Sequence, residues 1–152
     1  MTKINSFPSK IILVDDDEDD RDLFAEAFQS LNLQSDLVLF KNGQELLEYI
    51  QKLDNLITTH IFLDLNMPLI SGMEILRQLR KTLKVNDSFV TIYSTSASPR
   101  DVENAYKYGA NGYLKKPSSY QQLCELICKA IQASTVNYGK QLAKNEFILN
   151  KD

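Results

Sequence analysis

Apolar residues along the chain change their spacing repeatedly, and each change predicts an element. Ile11 to Val14 run without polar interruption and, with Lys10, predict a buried strand. From Glu18 to Leu31 the spacing becomes helical, with Leu23, Phe24, Ala27, Phe28 and Leu31 on one stripe. Asp36 to Phe40 predicts a second strand, which Asn42-Gly43 punctuates before Gln44 to Leu53 repeats the helical stripe through Leu46, Leu47 and Ile50. His60 to Asp64 predicts a third strand, and Gly72 precedes a helix from Met73 to about Leu83. Ser88 to Ser94 predicts a fourth strand, and Pro99 suits the first turn of a helix that ends at Gly109 and turns Val102, Ala105 and Tyr106 inward. Asn111 to Lys115 predicts the fifth strand, stopped by Pro117, and Tyr120 to about Ala133 the last helix, with Leu123, Ile127, Ala130 and Ile131 in register.

Strict alternation of strands and helices implies an α/β fold, a parallel sheet covered by helices on both faces, because right-handed crossovers place helices on either side. In such sheets ligands bind at the carboxyl ends of the strands. Asp64 ends the apolar run Ile61-Phe62-Leu63, where an unpaired carboxylate is costly and is not explained by packing. Pro68 breaks the chain after it, so residues 65 to 72 form a loop. The other strand exits carry Asp15, Asp16 and Asp17, then Ser94 and Thr95, then Lys116. Asp17, Asp19 and Asp20 are read as a solvated helix start stabilised by the helix dipole.

Composition narrows the class. A chain of 152 residues, 43% hydrophobic and 24% charged, suits one domain with one good core. A formal net charge of -3 argues against nucleic acid as a partner. No stretch approaches the roughly 20 apolar residues of a membrane span, and Met1 to Pro8 lack the apolar segment of a secretory signal. A cytoplasmic protein without membrane insertion is expected. Cys124 and Cys128, four apart on one helix face, and the single histidine His60 read as packing residues, since no further ligands stand near them in sequence.

Carboxylates held together repel unless a hard cation sits among them, and magnesium binds through one or two carboxylates while keeping waters and phosphate oxygens. Asp15, Asp16 and Asp64 would make such a site. One carboxylate oxygen, on Asp64, is then a nucleophile toward phosphorus, while Lys116 and the Ser94 hydroxyl share the charge that builds on the phosphoryl oxygens.

These residues resemble those of a response-regulator receiver domain of two-component signalling, over roughly residues 9 to 133. The likeness is carried by Asp15-Asp16 ending Ile-Ile-Leu-Val, by Leu63-Asp64-Leu65-Asn66-Met67-Pro68 with Gly72, by Ser94-Thr95, and by Gly109-Ala110-Asn111-Gly112-Tyr113-Leu114-Lys115-Lys116-Pro117. The resemblance implies a three-layer, doubly wound (βα)5 flavodoxin-like fold, its five-stranded sheet in the order 2-1-3-4-5. It further implies that Asp64 is the phosphoacceptor and that Asp15 and Asp16 help hold magnesium or manganese, with the Asn66 backbone carbonyl as a further ligand. Lys116 would contact the phosphoryl group, and the Lys116–Pro117 bond would be cis. Ser94 and Tyr113 would form a switch read out on the face of the fourth helix, fifth strand and fifth helix. Thr95 stands where alanine is frequent and would narrow access to Asp64.

The expected partition is an N-terminal extension over 1–8, the receiver domain over 9–133 and a frayed tail over 134–152 with no output domain, docking of that tail being the alternative. The expected function is a single-domain response regulator, phosphorylated by a sensor histidine kinase or phosphotransfer protein and acting on an unidentified protein target, with homodimerisation open. It would catalyse only its own phosphorylation and dephosphorylation. Two alternatives stand beside it, an unphosphorylated pseudo-receiver scaffold and a small aspartate-nucleophile phosphohydrolase, for which Asn66 lacks the second carboxylate.

Overall fold

The computed structural model describes residues 8–53, 59–82, 88–137 and 140–151. Leu83, residues 1–7 and Tyr138 lie outside the described residues. The elements are β1 (Lys10–Val14), α1 (Glu18–Ser30), β2 (Asp36–Phe40), α2 (Gly43–Gln51), β3 (Thr59–Leu63), α3 (Gly72–Thr82), β4 (Ser88–Ser94), α4 (Pro99–Lys107), β5 (Gly112–Lys115) and α5 (Tyr120–Val136). All pairings are parallel and the sheet order is β2-β1-β3-β4-β5, the doubly wound flavodoxin-like fold.

Successive strand residues face opposite sides, so β1 divides its side chains between two cores. Ile12 and Val14 join Leu46, Ile75, Leu79 and Ala105 beneath α2, α3 and α4. Ile11 and Leu13 join Phe24, Phe28, Leu123 and Ile127 beneath α1 and α5. Burying each of the larger of these side chains, the leucines, isoleucines, valine and phenylalanines, contributes about 1.5–3 kcal/mol. The helices start at side-chain caps: Asp17 accepts from the Asp20 N–H, Asn42 from Glu45, Ser98 from Asp101 and Ser119 from Gln122. On α1 the stripe is narrower than the sequence pattern predicts: Phe24, Ala27 and Phe28 are buried, whereas Leu23 is 42% exposed. One helical step of about 100° separates Leu23 from Phe24, enough to carry it past the edge of the buried face.

Register sets the rim. Val14 lies beside Leu63, and Leu63 beside Ile92, so Asp15, Asp64 and the end of β4 emerge together. Backbone bonds extend the ladder one residue further: Asp64 N–H donates to Val14 O (3.0 Å), and Lys116 N–H to Ser94 O (2.8 Å).

Three expectations are corrected. No cis peptide bond occurs among the described residues, so Lys116–Pro117 is trans. For a bond to proline trans is favoured by only about 0.5–1 kcal/mol, and here the Lys116 N–H and ammonium both find partners in that isomer. The helix expected to end near Ala133 continues to Val136. Residues 140–151 are not frayed: Leu142, Phe147 and Leu149 are buried against the domain, and their backbone bonds to Asn111 and Tyr113.

The loop after β3 folds back tightly, with Gly72 N–H donating to Leu65 O at 3.0 Å. A Cβ on Gly72 would collide with the Asp64 carbonyl and lie 2.7 Å from Leu65 Cα, both rigid backbone. Gly72→Ala is therefore expected to lower unfolding free energy by about 2 kcal/mol or more in urea titration. Leu69 in the same loop has φ of 70° and a fully exposed side chain. Leucine gains nothing there to offset the left-handed conformation, and Leu69→Asn is expected to raise stability by about 0.5–1 kcal/mol in the same titration.

Candidate functional site

At the rim, the buried Asp15 and Asp64 and the exposed Asp16 each offer a carboxylate oxygen within 4.8 Å of the others. Lys116, arriving from the end of β5, places Nζ 2.8 Å from Asp15 Oδ2, 2.8 Å from Asp20 Oδ2 and 3.7 Å from Asp64 Oδ2. Its ammonium also stands 5.2 Å from the centre of the Tyr93 ring. The other oxygens are held locally. Asp15 Oδ1 accepts the Asp17 N–H at 3.0 Å, and Asp64 Oδ1 accepts the Asn66 N–H at 3.2 Å.

Asp15, Asp20 and Asp64 thus face one ammonium, with the Asp16 carboxylate beside them. Burial pushes the Asp64 pKa up, Lys116 opposes it, and Asp15 adds to the rise while the Asn66 N–H reduces it, leaving it at about 7. For Lys116, burial works against the charge, but the hydrogen bonds to Asp15 and Asp20 and the Asp15 and Asp64 charges prevail and raise its pKa. An all-oxygen, negatively charged donor set with an exposed member suits a hard divalent cation such as magnesium or manganese. Asp15, Asp16 and Asp64 are the residues that would hold it.

Ser94 is fully buried at the end of β4, and its Oγ accepts the Ser96 N–H at 3.2 Å. Tyr113 is also fully buried, its hydroxyl donating to Ser96 O at 2.6 Å. Burial foremost, then the Asp101 charge and more weakly the Asp64 charge, raises the Tyr113 pKa to about 12, while the Ser94 hydroxyl opposes the rise. Thr95 is exposed beside them.

Asp20 is the rim residue that sequence reasoning misses, since it reads there as part of a solvated helix start. It lies in the first turn of α1, whose N-cap Asp17 directly follows the acidic pair at the β1 exit, and that closeness to the pair is the available signal. His60 sits at the opposite end of β3 from Asp64, with Nε2 2.8 Å from Thr91 Oγ1 and its ring stacked on Phe62. Burial lowers its pKa to about 3, so it is neutral. Cys124 and Cys128 are free, half-buried thiols. Among the described residues no helix is long and apolar enough to cross a membrane.

The chain matches the family model of the response regulator receiver domain over residues 11–128. It is 29% identical over 119 residues to the probable methanogenesis regulatory protein FilR2 of Methanothrix harundinacea, covering 76% of this chain and 77% of that protein. With the nitrate/nitrite response regulator protein NarL of Escherichia coli it shares 31% identity over 135 residues, 87% of this chain but 59% of NarL. Among solved structures, the phosphorylated cyanobacterial phytochrome response regulator RcpA aligns with a TM-score of 0.69 at 28% identity, covering 85% of this chain and 94% of RcpA. The chain belongs to the response regulator receiver domain family. Members of that family are phosphorylation-based signalling modules of two-component systems, which interact with histidine kinases or phosphotransfer proteins and bind magnesium or manganese at an acidic pocket.

The raised Asp64 pKa fixes the sign of a pH effect. Without metal, the folded state holds a proton on Asp64 that the unfolded chain releases near pH 4, so this contribution to stability is full below that pH and is lost as pH rises through about 7. A divalent ion substitutes for the proton only where the carboxyl is ionised. Saturating magnesium is therefore expected to stabilise the protein by about 1–3 kcal/mol at pH 8 and by much less at pH 5, and Asp64→Asn to flatten the difference, as read by thermal melts with magnesium and with chelator.

Proposed function

We propose that this protein is a response regulator that accepts a phosphoryl group on Asp64 from a sensor histidine kinase or a phosphotransfer protein. The observation that carries this reading is the convergence of Asp15, Asp16 and Lys116 on the Asp64 carboxyl at the strand ends. A carboxylate oxygen of Asp64 attacks phosphorus in line with the bond to the donor nitrogen, which leaves with the donor. Lys116, already 3.7 Å from Asp64, swings its ammonium toward a phosphoryl oxygen, and the Ser94 hydroxyl donates to another. Asp15, Asp16 and Asp64, with the Asn66 carbonyl, would hold a divalent ion, which would offset charge on the carboxylates and the incoming phosphoryl group.

Asp20 keeps Lys116 charged and aimed across the rim before a phosphoryl group arrives, a positioning role. Ser94 and Tyr113 report the phosphoryl group to the side of α4, β5 and α5, where residues 140–151 cover the β5 edge and form part of the surface that a protein target reads. The protein catalyses only its own phosphorylation and dephosphorylation, in the cytoplasm. The acidic balance of the chain supports a protein target rather than nucleic acid.

Incubation with acetyl phosphate and magnesium is expected to add one phosphoryl mass by intact-mass spectrometry. Asp64→Asn and chelator should each abolish the adduct, and Lys116→Ala should reduce it by about tenfold or more. No adduct under conditions that label another receiver domain would instead indicate a scaffold that works unphosphorylated.

A further inference from the structure

Residues 140–151 run along the outer edge of β5 and close it. The Tyr113 N–H donates to Phe147 O at 2.9 Å and the Leu149 N–H to Tyr113 O at 2.8 Å, so the segment continues the sheet as a parallel bridge. Side-chain amides fasten both ends. Asn150 accepts the Lys115 N–H at 2.7 Å and donates to Lys115 O at 2.9 Å. Gln141 donates to the Tyr106 and Ala110 carbonyls at 2.6 and 2.8 Å, one in the last turn of α4 and one just after it. Leu142, Phe147 and Leu149 are its apolar anchors. This strap is specific to its seat, since two amides replace sheet and helix-end partners and three side chains fill the groove.

Beneath the strap lies Tyr113. The Phe147 ring is 6.3 Å from that of Tyr113 and 5.0 Å from that of Tyr106. At its far end the Tyr113 hydroxyl is held by Ser96 O, and the Ser96 N–H in turn by Ser94 Oγ. An unbroken series of contacts therefore joins the rim beside Asp64 to the strap, through Ser94, Ser96, Tyr113 and Phe147.

We propose that Phe147 is a positioning residue for phosphoryl transfer, acting through Tyr113, and that docking of the strap and phosphoryl occupancy of Asp64 stabilise one another. This rests on Asp64 being the phosphoacceptor. The sign follows from the hydrogen bonds. A phosphoryl oxygen draws the Ser94 hydroxyl as a donor while Ser94 Oγ still accepts from Ser96, which firms the turn whose carbonyl holds Tyr113 inward. The inward ring is the surface on which Phe147 packs. Coupling of this kind is reciprocal: whatever tightens the strap on phosphorylation also raises the affinity of the site for a phosphoryl group.

The test uses the full chain with magnesium and beryllofluoride, a non-covalent phosphoryl analogue. Amide hydrogen exchange at Leu149 and Leu142, whose N–H groups bond to Tyr113 and Asn111, is expected to slow by about fivefold when the analogue is bound. Phe147→Ala should weaken beryllofluoride binding by about fivefold, and Phe147→Leu, which keeps most of the buried volume, should recover most of the loss. Analogue binding to the wild-type chain with unchanged exchange at both amides overturns the coupling and leaves Asp64 as acceptor. Absence of both analogue binding and an acetyl phosphate adduct overturns the acceptor reading and the coupling with it.

Discussion

One ammonium group holds the rim of this molecule together. Lys116 Nζ touches Asp15 and Asp20 and stands near Asp64, so it offsets charge among carboxylates that would otherwise repel in a partly desolvated site. Its place depends on the whole sheet. The lysine follows β5, the carboxylates follow β1 and β3, and the parallel register ends β1 and β3 at one level and β4 and β5 two residues further along the same rim. The buried strands therefore serve the site by delivering opposite charges from distant parts of the chain to within hydrogen-bond distance. The remaining carboxylate excess is what gives the family's metal pocket its character.

The alternation of strands and helices was legible because each element carries a strong periodic signal and ends at a turn residue or a cap. β1, β2 and β4 begin and end where the apolar pattern changes. The family was legible from a few polar residues at strand exits, positions where packing gives no reason for them. What escaped was set by contacts distant in sequence. Asp20 looks like any acidic residue in a first helical turn, and only the lysine 96 positions later distinguishes it. Leu23 looks like part of the apolar stripe, yet whether a helix edge is covered depends on its neighbours.

The strap escaped for a related reason. Its apolar residues Leu142, Phe147, Ile148 and Leu149 follow neither a helical nor a strand period, because the segment touches the domain at separate points. Gln141 and Asn150 carry no signal in isolation, since an amide becomes informative only beside the backbone groups it satisfies. Asn111 shows the same limit. Its Oδ1 accepts the Val90 N–H and its Nδ2 donates to Lys140 O, tying β4 to the strap through one side chain.

The strap lies last in chain order among the described segments, while the edge it covers belongs to β5. During synthesis the five strands can pair before residues 147–150 are free of the ribosome, and through that interval β5 presents unpaired N–H and C=O groups. An open edge of this kind recruits any extended peptide nearby. The growing chain thus passes through a stage in which its sheet is complete but unguarded, and the strap ends that exposure by occupying the edge itself.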